Sequence, residues 1–155
     1  MTNPEKIAFK NKLKNFGLDL LRQRIATAQD AMNQAQEAAN SEEKSSAGDK
    51  YETGRAIGQL QKEMHSRQLA EYAKEVKALQ SIATDSLCDR GGPGAFVQTK
   101  AIAFFLSAGL GKQVVEGKSI LFVSPMAPFA RALQNKKTGD SIAFNGTSMT
   151  IEDVW

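Results

Sequence analysis

Two kinds of spacing divide the chain. From Leu18 onward, apolar residues recur at alternating steps of three and four: Leu18, Leu21, Ile25, Ala28, Met32, Ala35 and Ala39. This is a heptad seam, and it predicts a helix packed lengthwise on a partner helix. Upstream, Phe9, Leu13, Phe16 and Leu20 repeat the steps in a different phase. A second helical stretch runs through Ile57, Leu60 and Met64, changes phase, and continues through Leu69, Tyr72, Val76, Leu79 and Ala83. Between the two lies Asn40-Ser41-Glu42-Glu43-Lys44-Ser45-Ser46-Ala47-Gly48, small and polar, with no seam residues. Ser46 followed by Asp49 fits a helix N-cap with an acid in the first turn. The pattern predicts a turn centred near Ser45. Folding the chain there sets residue i opposite roughly 90 − i, so that Leu69 faces Leu21 and both phase changes fall at one level. The expectation is an antiparallel coiled-coil hairpin over 1–88 with its tip near 41–48.

After Cys88 the pattern changes. Cys88-Asp89-Arg90-Gly91-Gly92-Pro93-Gly94 cannot continue a helix, and 89–94 reads as a linker. Short apolar bursts follow, separated by turn residues. Strands are expected at Phe96–Lys100, Ala101–Ser107, Ile120–Val123, Ser141–Phe144 and Thr147–Val154. Asn145-Gly146 is a strong two-residue hairpin signal. Pro128 to Gln134 reads as a short helix opened by proline, with Asn135 and Gly139 as stop and turn residues. Residues 95–155 therefore form a small antiparallel β domain with one short helix, and the class is α+β.

Composition narrows the function only a little. The chain has 155 residues, 41% hydrophobic and 24% charged, which excludes a disordered tail protein and a collagen-like repeat. The longest apolar run, Ala101 to Leu110, is far shorter than the roughly 20 residues of a membrane helix. The start of the chain lacks an apolar secretory core, so the expected location is the cytoplasm, with no membrane partner. Cys88 is alone and cannot form an internal disulfide. Twenty basic and 17 acidic side chains leave a net charge of +3, too little by itself to indicate nucleic acid. The distribution says more. Basic residues gather at Lys10 to Lys14 and Arg22 to Arg24, and acids at Glu42, Glu43, Asp49 and Glu52. The basic face is either a solvated helix face or one that meets nucleic acid or an acidic protein surface.

Candidate chemistry is sparse. His65 is the only histidine, so a zinc site fails on ligand count, and the residue reads as structural or exposed. Cys88 has neither a His nor a second Cys in motif spacing and reads as inert. No P-loop, G-x-S-x-G or H-E-x-x-H motif occurs. Phe96, Phe104, Phe105, Phe122, Phe129 and Phe144 read as core, because so small a domain needs its aromatics inside.

Two segments carry a family resemblance. Ala127 to Asp140, APFARALQNKKTGD, resembles the S-P-x-x-x-A-L-x-G-K-x-x-G-D of the bacterial GreA/GreB transcript-cleavage factors. Pro128, Ala132, Leu133, Lys136, Gly139 and Asp140 match, while Ala127 and Asn135 replace Ser and Gly. At the turn, Gly48-Asp49-Lys50-Tyr51-Glu52-Thr53-Gly54-Arg55 is similar to the family's N-A-E-Y-x-x-A-R through Tyr51 and Arg55. The resemblance implies an FKBP-like C-terminal domain and a partner, RNA polymerase, whose secondary channel admits the hairpin. Contact with nascent RNA would be indirect. Glu42, Glu43, Asp49 and Tyr51 would act at the tip near the polymerase active site, and Pro128, Arg131, Lys136 and Asp140 would help dock the C-terminal domain. The chain would be a monomer, not an enzyme, with no cofactor or metal of its own, and Mg²⁺ would be shared with the polymerase, since hard Mg²⁺ takes oxygen ligands. Counting back from Tyr51, Lys44 and Ala47 stand where the family places its Asp and Glu. The resemblance therefore implies channel binding rather than stimulated cleavage. Two readings from other classes stand beside it: an isomerase or chaperone on the FKBP-like domain, and a homodimeric coiled-coil scaffold.

Overall fold

In the computed structural model the described residues are 1–45 and 49–155, with side chains described outside 42–52. Helix α1 spans Asn3–Ser45 and helix α2 spans Asp49–Ser81. α1 opens on a reciprocal cap. The backbone N–H of Thr2 donates to Glu5 Oε2 at 2.6 Å and that of Glu5 to Thr2 Oγ1 at 3.3 Å, with Pro4 in the first turn. The Thr2 N–H, then its hydroxyl, hold the Glu5 carboxyl below its usual range. The stretch 40–45, expected as part of the turn, is still helical. It contains neither Gly nor Pro, so nothing in it forces a break. The N-cap expected at Ser46 lies outside the described residues.

The chain forms two compact units, Asp19–Glu75 and Met1–Leu18 with Val76–Trp155. In the first, the helices run antiparallel. A Cβ added at Gly58 would lie 2.9 Å from Ala39 Cβ, and Ser66 Oγ donates to Met32 Sδ at 3.6 Å. These pairs set residue i opposite roughly 97 − i or 98 − i, not the expected 90 − i. Leu69 then falls opposite the level of Ala28, not of Leu21. On α1 the heptad reading holds: Leu21, Ala28 and Ala35 are buried. On α2 it fails at one place. Ile57, Leu60 and Met64 are 51%, 64% and 53% exposed, and the partly buried positions are Gly54, Gly58 and His65. These fall in step with Leu69 and Tyr72, so the expected change of phase does not occur. The physical reason is close approach. Gly58 against Ala39 lets the backbones come together and gain dispersion contacts, which large side chains would prevent. The cost is one helical glycine, about 1 kcal/mol.

The second unit holds a six-stranded sheet in the order β3-β4-β2-β1-β6-β5. The strands are β1 (Phe96–Thr99), β2 (Ala103–Leu106), β3 (Gly111–Val115), β4 (Lys118–Val123), β5 (Ser141–Phe144) and β6 (Thr147–Val154), with helix α3 (Pro128–Leu133) before β5. The sheet is mixed, since β2 and β4 pair in parallel while the other neighbours are antiparallel. β3 was not anticipated. It joins β4 through Glu116 and Gly117, both with positive φ (52° and 76°). That is a two-residue turn with Glu where Asn, Asp or Gly is the usual signal. The anticipated Asn145-Gly146 turn is present, with φ of 50° and 76°.

β1 and β2 are buried on nearly every residue because both faces of the sheet are covered. One face carries Val97, Phe104, Leu106, Leu133, Ile142 and Ile151. On the other, Phe96 meets Phe9 of α1 edge-on at 5.7 Å and Trp155 at 4.3 Å, while Phe105 stacks on Phe122 at 5.6 Å. Gly17 makes room on that face: its added Cβ would lie 2.6 Å from the Leu79 side chain.

Candidate functional site

The tip residues Glu42, Glu43, Asp49 and Tyr51 belong to the ends of α1 and α2, and their side chains lie outside the described residues. The segment that carries the C-terminal resemblance is fully described. Pro128 is the first residue of α3, with the fixed φ that suits a helix start. Leu133 is buried in the sheet core, and Asn135 turns the chain with φ 61°. Lys136 is half-buried. Its carbonyl accepts the Gly91 N–H at 2.8 Å, and the Asn135 N–H donates to the Gly91 carbonyl at 2.8 Å. Gly139 has φ 93°, and Asp140 Oδ2 accepts the Lys137 N–H at 2.8 Å, closing a tight turn. Arg131 is exposed on α3 and makes no ion pair among the described residues. So Asn135 and Lys136 clamp the incoming chain at Gly91, Gly139 and Asp140 shape the turn that follows, and Arg131 is an exposed cation beside them.

The basic face of α1 is divided: Lys10 and Lys14 are turned into the fold, while Lys12 and Arg22 stay exposed as a solvated face would be. Lys10 is fully buried. Its Nζ donates to the Ser86 carbonyl at 3.0 Å and lies 3.9 Å from Cys88 Sγ. Desolvation pushes the Lys10 ammonium below its usual range, opposed by Cys88 and Asp85. Lys12 pairs with Glu116. Lys14 Nζ donates to the carbonyls of Gln80 (3.1 Å) and Ile82 (2.8 Å). There it satisfies free carbonyls at the C-terminus of α2, whose last turn has no basic residue of its own. Arg22 pairs with Asp19. Arg24 makes no ion pair among the described residues.

Two concave places were not legible in the sequence. An apolar hollow of about 260 Å³ on the sheet unit is lined by Leu121, Phe122, Val123, Ala127, Phe129 and Phe144, with Ser124 as its polar side chain. Phe129 and Phe144 are only half-buried there, unlike Phe96, Phe104, Phe105 and Phe122. In the helical unit a groove of about 360 Å³ runs between α1 and α2 beside Arg24, His65 and Tyr72. His65 Nδ1 is buried there without a hydrogen-bond partner. Among the described residues, no group of three or more His, Cys, Asp or Glu could hold a metal ion, and no helix is long and apolar enough to cross a membrane.

Known proteins offer a distant likeness. A solved structure of the transcription factor Gfh1 is similar over 89% of this chain and 92% of its own, with 14% identity and a TM-score of 0.37. No family model and no curated protein matches the chain.

Proposed function

We propose that the protein is a transcription regulator of the GreA/GreB type that binds RNA polymerase and inserts its helical hairpin into the secondary channel. What supports the reading is the joint occurrence, in one chain, of an antiparallel helical pair and of the Pro128 to Asp140 segment folded as a clamp and turn. In this reading Glu42, Glu43, Asp49 and Tyr51 act at the tip, and Arg131 and Lys136 offer cations to the polymerase surface. The protein does no chemistry of its own. With Lys44 and Ala47 in place of the acid pair, it lacks the carboxylates to hold a second Mg²⁺, so it occupies the channel without stimulating cleavage.

The test is binding of the full chain to core RNA polymerase from the same organism, with a cleavage factor as competitor. Competition is expected, and a stalled complex with labelled RNA is expected to show no added cleavage. Charge reversal at Glu42 and Glu43 should abolish any effect on paused transcription. No binding at micromolar concentration would overturn the reading.

The apolar hollow at Phe129 and Phe144 favours one second reading, a prolyl-peptide isomerase or chaperone. A peptidyl-prolyl assay on the full chain separates the two. The full chain is needed because Phe9 packs on Phe96 and Trp155, and residues 90–155 alone would lose that cover.

A further inference from the structure

The fold brings a nucleophile to the only cysteine of the chain. Cys88 lies on the segment between α2 and β1, where Asp85, Ser86, Asp89 and Arg90 are exposed. Its own side chain is half-buried and packs against the sheet core, so small solutes reach the segment while the interior lies behind it. From that interior comes Lys10, 78 residues away in sequence. Lys10 is fully buried, and its Nζ stands 3.9 Å from Cys88 Sγ.

Lys10 is poorly satisfied for a structural lysine. An ammonium has three protons to donate. Among the described residues Lys10 Nζ has one oxygen acceptor, the Ser86 carbonyl at 3.0 Å, and its other neighbour is the weak acceptor Sγ. Lys14, one turn on, holds two carbonyls, at 3.1 and 2.8 Å. Burial favours the neutral Lys10 amine over the ammonium, against the pull of Cys88 and Asp85. A neutral amine has a free lone pair, which a nucleophile needs.

We propose that Cys88 and Lys10 are the two ends of an oxidative crosslink, with hydrogen peroxide as the oxidant and a sulfenamide as the product. The Cys88 thiol attacks peroxide and the O–O bond breaks. One oxygen stays on sulfur as a sulfenic acid, and the other leaves as water. Sulfur loses two electrons and peroxide gains them. The Lys10 amine then attacks that sulfur and the S–O bond breaks. The leaving hydroxide takes the amine proton and departs as a second water, and the S–N bond forms with no further change in oxidation state. No second thiol exists in the chain, so a disulfide within it is not a competing fate. A near-attack distance of about 3–3.5 Å asks the nitrogen to move by about 0.5 Å, which the flexible lysine stem allows. A thiol reductant reverses the bond by attacking sulfur and expelling the amine.

Both ends belong to the sheet-bearing unit, and the crosslink ties α1 to the segment that leaves α2. Closing so long a loop restricts the unfolded chain, so the oxidised protein should be the more stable form. The crosslink is independent of polymerase binding.

The test treats the folded full chain with hydrogen peroxide and then digests it with trypsin. The peptide spanning Lys10 should be joined to the one spanning Cys88, about 2 Da below the sum of the two, with no cut after Lys10. Dithiothreitol should release them. The melting temperature of the oxidised chain should exceed that of Cys88→Ser treated alike by about 5 °C or more, and fall back on reduction. In Lys10→Met the joined peptide should vanish, and Cys88 should run on to sulfinic acid, about 32 Da heavier. The joined peptide in the parent decides the question even where Lys10→Met fails to fold. An unreacted Cys88 thiol, an oxidised Cys88 with no joined peptide, or a disulfide between two chains would overturn the inference. So would a 2 Da loss confined to the Cys88 peptide, which places the bond on a backbone nitrogen.

Discussion

Gly91 and Gly92 are neighbours in sequence, and the structure predicts opposite outcomes when each becomes alanine. A Cβ on Gly91 would lie 1.8 Å from the Leu133 carbonyl oxygen and 2.8 Å from its carbon. Both are backbone atoms, so no side-chain rotation relieves the overlap. The chain must move by more than about 1 Å, since contacts below about 3 Å are not tolerated by packed atoms. That movement breaks two backbone hydrogen bonds, Gly91 N–H to the Lys136 carbonyl and Asn135 N–H to the Gly91 carbonyl. Each is worth about 1 kcal/mol net, and a buried group left unpaired costs about 1–3 kcal/mol more. Against this stands a gain of about 0.4–1 kcal/mol from the stiffer unfolded chain. The expected net loss for Gly91→Ala is about 3 kcal/mol, a fall in melting temperature of about 6–12 °C for a chain of this size. At Gly92 a Cβ meets nothing within 4 Å. Only the unfolded-state term remains, so Gly92→Ala should hold or raise the melting temperature by about 1–3 °C. The assay is thermal and urea unfolding followed by Trp155, the only tryptophan, which is buried in the same unit. Equal melting of the two variants, or a Gly91→Ala protein as stable as the parent, would refute the reasoning.

Lys10→Met should change the pH dependence of stability. Burial lowers the Lys10 pKa in the folded state below the ordinary 10.5. The unfolded chain therefore binds the proton more strongly, and stability rises with pH from the lowered folded value up to the unfolded one. The parent should gain stability across that window, and Lys10→Met should lose the gain, as read from urea midpoints at a series of pH values. Gly146→Ala places a side chain at φ 76° and should cost about 1 kcal/mol in the same assay, whereas Asn145→Gly, at φ 50°, should be nearly neutral. Lys14→Met removes the donor to the Gln80 and Ile82 carbonyls and should cost about 1–2 kcal/mol, with partial recovery by Lys14→Arg.

Much of the fold was legible because its signals are local. The α1 seam, the Asn145-Gly146 turn and the proline-led helix α3 are each set by residues a few positions apart. What escaped depends on distant partners. The α2 stripe Ile57, Leu60 and Met64 has the spacing of a seam, but Gly58 against Ala39 wins the contact by allowing closer approach. Glu116 at positive φ carries no turn signal, and the β3–β4 hairpin went unseen with it. The lysines of α1 read as a face, yet Lys10, Lys12 and Lys14 each find a partner at least 66 residues away. In the candidate site, the Pro128 to Asp140 segment was visible as a pattern, but its grip on Gly91 was not, because a backbone hydrogen bond leaves no mark on residue type. The groove at Arg24 and His65 requires two helices to be brought together before it exists.

One ion pair has a consequence for vectorial synthesis. Lys6 Nζ pairs with Asp153 Oδ2 at 2.8 Å, across 147 residues of chain. Beside it, Phe9 packs on Phe96 and Trp155. On a ribosome adding about 5–20 residues per second, the first turns of α1 wait on the order of ten seconds for that final strand to emerge. During that interval Phe9 and Leu13 lack their native cover, while residues 19–75 already have every contact of their own unit within reach. The nascent chain should therefore acquire its helical pair first and present a sticky N-terminal helix to chaperones until the sheet closes over it.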